Sequence, residues 1–581
     1  MWIPVGRTST VMQVLLLLFL VISSFHHSAS DSANPNILLI VADDLGWNDL
    51  SLTGNPTIST PNIDRLARQG SFFTQFLTAA PICTPSRAAM LTGRLPIRTG
   101  VYANLDYPLD DLFRVFYPSS VYCLPENEIT IGDALKQKGT YSSAMVGKWH
   151  LGHNPEHNCL PGRGKQGFDF FYGLPYSHEE GYPGPFPEGL IFPPVPLLCD
   201  DMYVEQPFNM SDLTSRYTEL TIELIQRFAN GNTITKSGIG DDNRYGASGS
   251  DSYVNARIQD GHLDFSRSFF IHLAYENPHV PLFISDSYYD THEPSRRGLY
   301  GDSVQEMDAS IGVIMDTLGE TGLIDSTIVI FLSDNGAWVN PNNGLTSREV
   351  KGMTSFDGGS NAPFFGGKGS TYEGGMRVPL IISVPPGIQG STTSIEPQYI
   401  RAPVMAVDLF PTILDYANVK MPEDVSYDGV SLRTLIEGTA NGDPHDCLYY
   451  WREKDLYAIR CGPLKAHFKT RSGFNSSDPG ETHDPPLMYN VEWDAAEQFP
   501  LNPDDYRQEL VQIKAAAAVH IMNIEKERPP SLYVPQNFTL MPCCPRAGYD
   551  TAASEQAAIS KDWNNAVWED CICSRPSFIV A

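Results

Sequence analysis

Asn36-Ile-Leu-Leu-Ile-Val-Ala42 reads as a buried strand, and it stops on two carboxylates, Asp43-Asp44. Thr327-Ile-Val-Ile-Phe-Leu-Ser333 has the same form and ends at Asp334-Asn335-Gly336. Ser142-Ser-Ala-Met-Val146 leads into Gly147-Lys148-Trp149-His150, and Phe269-Phe-Ile-His-Leu-Ala-Tyr275 leads, four residues on, to His279. Short apolar runs of this kind alternate with helical patterns along the chain. That predicts an α/β fold with a large, mostly parallel central sheet flanked by helices. In open α/β sheets the ligand site lies beyond the carboxyl ends of the strands. Four strands therefore deliver polar residues to one edge.

Asp43, Asp44, Asp334 and Asn335 are hard oxygen ligands. Three carboxylates converging at one edge repel each other unless a cation sits among them. Oxygen ligation favours Ca²⁺ or Mg²⁺ over zinc. Taken singly, Asp-Asp and Asp-Asn-Gly are ordinary turn or cap residues; it is their occurrence beside the next motif that favours ligation.

That motif is Cys83-Thr-Pro-Ser-Arg87. Thr84 reads as an N-cap, Pro85 as the first helical position, and the helix should end near Gly93. Cys83 then lies at a helix N-terminus, where free N–H groups favour an anion. Arg87 has the wrong charge for that end of a helix. An anionic partner or a carboxylate neighbour would explain its placement. A disulfide cysteine beside a surface arginine is the competing reading.

The 581 residues are 42% apolar and include 47 glycines, a globular composition rather than a disordered one. Lys and Arg number 40 against 68 Asp and Glu, a net charge of −28. Such an anion does not track a nucleic-acid backbone or adhere electrostatically to anionic lipid. Residues 1–30 have the pattern of a secretory signal: Arg7, an apolar run over 14–22, then small Ser28-Ala29-Ser30. No later run is long and apolar enough to cross a membrane, so no span is expected in the mature chain. Sequons at Asn209, Asn475 and Asn537 agree with export.

Ten cysteines in an exported chain suggest disulfides. Cys543-Cys544 with Cys571 and Cys573 should form two bridges across the tail, with zinc binding as the alternative. Cys159–Cys199 and Cys447–Cys461 are further candidate pairs. With Cys83 reserved for chemistry, Cys123 is the candidate odd cysteine.

These residues resemble the sulfatase family. Cys83-Thr-Pro-Ser-Arg87 with Leu91-Thr-Gly-Arg94 is similar to its signature. So are Ala42-Asp-Asp-Leu-Gly46, Thr60-Pro-Asn-Ile-Asp-Arg-Leu-Ala67, Gly147-Lys-Trp-His-Leu-Gly152 and Gly367-Lys368 with Tyr372-Glu-Gly-Gly375. The matches run in family order over residues 34–411 and more weakly to the tail. Tyr300-Gly-Asp-Ser-Val, Met307-Asp-Ala-Ser and the Cys-Cys…Cys-x-Cys tail resemble the animal arylsulfatase and steryl-sulfatase group most.

The resemblance implies an alkaline-phosphatase-like sulfatase fold and hydrolysis of aryl or saccharide sulfate monoesters. It implies that Cys83 is converted to formylglycine (3-oxoalanine) by a formylglycine-generating enzyme that reads Cys83, Pro85 and Arg87. In the family one hydroxyl of the hydrated aldehyde attacks sulfur, and the other later expels sulfate. Asp43, Asp44, Asp334 and Asn335, with modified Cys83, fall at the family's single calcium site. Lys148, His279 and Lys368 fall where it binds sulfate or assists the leaving group, and Ser177 at a polar position of the arylsulfatase A branch. Arg87 falls where the gem-diol and ligands are held, and His150 where the nucleophile is oriented or deprotonated. His178 and His272 lie nearby without matching flanks.

Residues 153–206 lack the long apolar insertion of the membrane-embedded steryl sulfatases. Residues 230–263 are Gly/Ser/Asp-rich and predict a flexible inserted surface loop. The organisation expected is a signal over 1–30, a catalytic α/β domain over 31–442 and a C-terminal α+β domain over 443–581. β-rich runs from Leu448, Leu456 and Leu464, then a helix over 510–527, suit a small antiparallel sheet with a helix packed on it. A secreted or lysosomal location follows from the leader. Two other roles stay open at this point: a matrix protein of this fold that binds extracellular sulfated glycans, and phosphatase or phosphodiesterase chemistry.

Overall fold

The computed structural model describes residues 34–540 apart from 104–113, 182–193, 232–249, 340–356, 389–397, 424, 474–477, 479, 534–535 and 537–539. The leader, Asn475, Asn537 and the four tail cysteines lie outside the described residues.

The strands are β1 (Asn36–Ala42), β2 (Ser71–Phe73), β3 (Phe76–Leu77), β4 (Tyr141–Gly147), β5 (Phe170–Gly173), β6 (Leu197–Cys199), β7 (Met202–Glu205) and β8 (Ser268–Ala274). They continue with β9 (Thr327–Ser333), β10 (Leu380–Ser383), β11 (Gln398–Ile400) and β12 (Val404–Met405). Among the described residues, one ten-stranded sheet runs β11-β2-β10-β9-β1-β8-β4-β5-β6-β7. Its centre, from β9 to β5, is parallel, and antiparallel pairs flank it on both sides.

The helices that cover it are α1 (Pro61–Gln69), α2 (Cys83–Thr92), α3 (Leu213–Asn230), α4 (Ser250–Gln259), α5 (Leu299–Glu320) and α6 (Leu409–Tyr416). Successive side chains of a strand point to opposite faces. Ile37, Leu39 and Val41 of β1 accordingly join α2 and α6 in one core, whereas Leu38, Ile40 and Ala42 join α3 and α5 in the other. Both faces are covered, which is why β1 and β9 are apolar throughout instead of alternating.

Register then aligns the polar strand ends. Ala42 lies opposite Ser333, and both Val41 and Gly147 lie opposite Ala274. The residues that follow each strand emerge at one level. Gly147 must be glycine for this to happen: its φ is +101°, and a Cβ there would sit 1.9 Å from the Ala274 carbonyl oxygen.

Three local expectations are corrected. Helix α2 begins at Cys83 with Ile82 as N-cap, while the Thr84 hydroxyl donates to the His150 carbonyl at 2.9 Å. Cys159 bonds Cys123, not Cys199, because the chain beside Gly152 brings Cys123 into range, with Cα atoms 5.5 Å apart. Cys199 is thus the free buried cysteine besides Cys83 among the described residues, and Cys447–Cys461 forms as expected. Part of the presumed flexible loop is helix α4. Val254 and Ile258, four residues apart, are fully buried on one face, and Arg257 donates to Asp200.

A four-stranded antiparallel sheet follows, β13 (Leu448–Arg452), β14 (Asp455–Cys461), β15 (Leu464–Thr470) and β16 (Glu481–Asn490), with α7 (Arg507–Glu527) packed on it. A buried charge network fastens this sheet to the segment just after Lys368. Glu373 accepts from Lys465 Nζ at 2.9 Å and from the Tyr450 hydroxyl at 3.1 Å, while its backbone N–H donates to Glu497 at 2.7 Å. Glu497 in turn contacts Lys465 and His467, at 3.1 and 2.6 Å. No described helix is long and apolar enough to cross a membrane.

Removing one member of a buried charged network strands the others. Glu373→Ala should cost about 3–5 kcal/mol in chemical denaturation; a loss below about 1 kcal/mol would show that the network is dispensable.

Candidate active site

The structure brings all the expected polar residues of the strand ends and of α2 into one buried cluster. Asp43 and Asp44 follow β1, Lys148 and His150 follow β4, His279 follows β8, and Asp334 and Asn335 follow β9. Asp43 Oδ2 accepts from Lys148 Nζ at 2.5 Å, and Lys148 also donates to Ser177 Oγ at 3.0 Å. Asp44, held at φ 61°, accepts from Lys368 Nζ at 2.8 Å and from Asn335 Nδ2 at 2.7 Å. Lys368 Nζ lies 2.8 Å from His279 Nε2, whose other ring nitrogen faces the Val280 carbonyl.

Arg87 finds carboxylate neighbours, which accounts for a cation in the first turn of α2. Its Nε and Nη2 lie 2.9 and 2.8 Å from Asp334 Oδ2, and Nη2 lies 3.4 Å from Asp43 Oδ1. Nη1 donates to the Lys148 carbonyl at 3.1 Å, tying α2 to the end of β4. Cys83 Sγ lies 3.5 Å from Asp43 Oδ1.

Burial and charge compete at each group. Burial would raise Asp43, but Lys148, His279 and Arg87 outweigh it and hold the carboxyl well below its usual value. Burial wins at Asp44, which is raised despite Lys368, and at Asp334, pushed up to about 7 despite Arg87. Burial pushes the Cys83 thiol well above its usual value. Burial together with the Lys148 and Arg87 charges lowers His150 well below, keeping its imidazole neutral.

Asp43, Asp44, Cys83 and His279 offer donor atoms that all lie within 4.8 Å of one another. Asp334 Oδ1 accepts the Asp44 N–H at 3.2 Å beside them, and Asn335 Oδ1 is buried with no hydrogen-bond partner. That free carbonyl oxygen among carboxylates fits a hard divalent cation. Three carboxylates face Arg87, Lys148 and Lys368, so a dication makes the cluster net positive and suited to an anion.

Four residues of the site were not among those expected. Glu180 Oε1 lies 3.3 Å from His150 Nε2, and Glu179 Oε2 lies 3.7 Å from His279 Nε2. The Trp338 ring stands 6.2 Å from that of His279, with Lys368 Nζ 5.4 Å from its centroid. His178 packs edge-on to His279 at 5.5 Å. Three of them directly follow Ser177, and Trp338 comes four residues after Asp334, so adjacency to the motifs was the available signal. His272 faces the core, 6.2 Å from the Phe168 ring.

The sulfatase family's sequence model matches residues 35–419, and that of the C-terminal region of aryl-sulfatase matches 443–551. Human arylsulfatase A is 36% identical over 494 residues, covering 80% of this chain and 83% of the relative. Human steryl-sulfatase is 31% identical over 629 residues, covering 92% and 96%. The solved structure of a sulfatase from Pseudoalteromonas sp. superposes with a TM-score of 0.63 at 22% identity, covering 92% of this chain and 97% of that one. This last likeness speaks for the fold.

Arg87→Lys keeps the charge but cannot reach Asp334 and the Lys148 carbonyl together. It should destabilise the fold by about 2 kcal/mol in chemical denaturation, the scale of charged hydrogen bonds. An unchanged midpoint would show that charge alone suffices.

Proposed function

The chain belongs to the sulfatase family and is a sulfuric ester hydrolase, and from that premise we propose an arylsulfatase-type enzyme that uses formylglycine at position 83 and one calcium ion. The observation that carries this reading is Cys83 itself. It starts a buried helix, 3.5 Å from Asp43, in a cluster that also holds Lys148, Lys368 and His279. A hydrated aldehyde at that position would supply a hydroxyl nucleophile and a second hydroxyl whose collapse to the aldehyde would break the C–O bond to sulfate and release it. Asp43, Asp44, Asp334 and Asn335 would hold the calcium ion, which would lower the pKa of a hydroxyl beside it and neutralise sulfuryl charge.

The chain's own residues supply the rest. Lys148, Lys368 and His279 bind the sulfuryl oxygens, and Ser177 fixes the Lys148 ammonium. Arg87 keeps Asp334 and Asp43 in place. His150, a neutral imidazole, accepts the proton of the attacking hydroxyl on a ring nitrogen. Lys368, protonated and 2.8 Å from His279, donates toward the departing oxygen. The domain boundary is placed near Asp443, and export to the lysosome or the extracellular space is supported by the leader and the sequons. The substrate class is a small aryl or saccharide sulfate; a formylglycine-generating enzyme is the partner during maturation.

Purified protein should carry formylglycine at position 83 by peptide mass spectrometry and hydrolyse an aryl sulfate in preference to the aryl phosphate. Cys83→Ala should lower kcat/KM about a thousandfold or more. An unmodified cysteine with no esterase activity would favour the matrix-binding role, and a large phosphate preference would favour the phosphatase one.

A further inference from the structure

The sulfate-binding groups are sealed. Asp43, Lys148, Ser177, His279 and Lys368 are all buried, so whatever carries the sulfate must enter past residues that still reach solvent. Two residues bordering the His279–Lys368 pair do so. Glu179 keeps 34% of its side chain exposed with Oε2 3.7 Å from His279 Nε2. Trp338 is half-buried, its ring 6.2 Å from His279 and 5.4 Å from Lys368 Nζ. Both border the pair that contacts the ester.

We infer that Glu179 and Trp338 form the leaving-group subsite, and that it selects a sugar ring with a free hydroxyl beside a single sulfate ester. The inference rests on the sulfatase reading above and narrows its substrate class. An indole face packs against the apolar C–H face of a pyranose. Burial pushes the Glu179 carboxyl up to about 7 despite Lys368 and Lys148; above that pH it is a carboxylate with acceptor capacity only, so it takes a hydrogen bond from a hydroxyl. Such a charge-assisted bond is stronger than a neutral one. A phenyl ring stacks on Trp338 equally well but offers Glu179 nothing. Above pH 7, with Glu179 ionised, a second sulfate on the neighbouring carbon would bring like charge against it in a partly desolvated position, where repulsion is strong. Glu179 thus opposes the Lys148–Lys368 attraction for anions on one side of the site only. It separates the group to be cleaved from the group to be left.

The test compares, at pH 8 where Glu179 is ionised, kcat/KM of the intact enzyme for nitrophenyl sulfate, galactose monosulfate, and galactose sulfated on two neighbouring positions. Glu179→Gln should lower the monosulfate-to-aryl ratio about tenfold. It should also narrow the preference for monosulfate over disulfate by about the same factor. Trp338→Ala should raise KM for galactose monosulfate about tenfold, with a smaller change in kcat. Glu179→Ser reads the same two ratios at this part-exposed position should the Gln variant misfold. Ratios within about twofold of wild type in a folded Glu179 variant would overturn the subsite while wild-type turnover upholds the sulfatase reading. Wild type inactive on all three esters would overturn both.

Discussion

Three buried carboxylates, Asp43, Asp44 and Asp334, stand against three buried cations, Arg87, Lys148 and Lys368, at the carboxyl edge of the central sheet. Each group alone would be costly in that setting, since an unpaired buried charge is strongly destabilising. Together they are balanced, and each cation is drawn from a different part of the chain. Arg87 comes from α2, Lys148 from the end of β4 and Lys368 from the segment before Glu373. The sheet register, the placement of α2 and the docking of the C-terminal sheet are all conditions for that balance.

The chemistry follows from the same arithmetic. A balanced cluster attracts no anion, and one dication turns it into a site that does. The global charge of −28 is therefore a poor guide to the pocket. Glu179 at the rim and Glu180 beside His150 add carboxyl groups whose ionisation burial opposes, Glu179 being pushed up to about 7 and Glu180 well above its usual value. With that dication the site would be positive in its depth and, with Glu179 ionised, acidic at its edge, a gradient that would place an anionic group inward and a neutral, hydroxylated one outward.

The strands and their polar ends were legible because a strand buried on both faces must be apolar throughout, as in β1 and β9, so its end is marked by the first charged residue. The helix of Cys83 was legible from Pro85 and Gly93, although its start was misplaced by two residues. The partner of Cys159 was not, because spacing says nothing about which loops meet; the fold brings Cys123 there by way of Gly152. Helix α4 was hidden by its Gly/Ser/Asp-rich surroundings, in which Val254 and Ile258 are the core-facing residues. Glu179 and Trp338 obey no periodicity because they face solvent, and Glu373 looked like part of a motif rather than the centre of a buried network.

Calorimetric titration of inorganic sulfate into the intact protein, with calcium and after its removal by a chelator, tests the charge balance most directly. One sulfate site is expected with calcium present, and an affinity at least about tenfold weaker without it. Equal affinity in the two conditions would contradict it, since the chain's own cations would then hold the anion unaided.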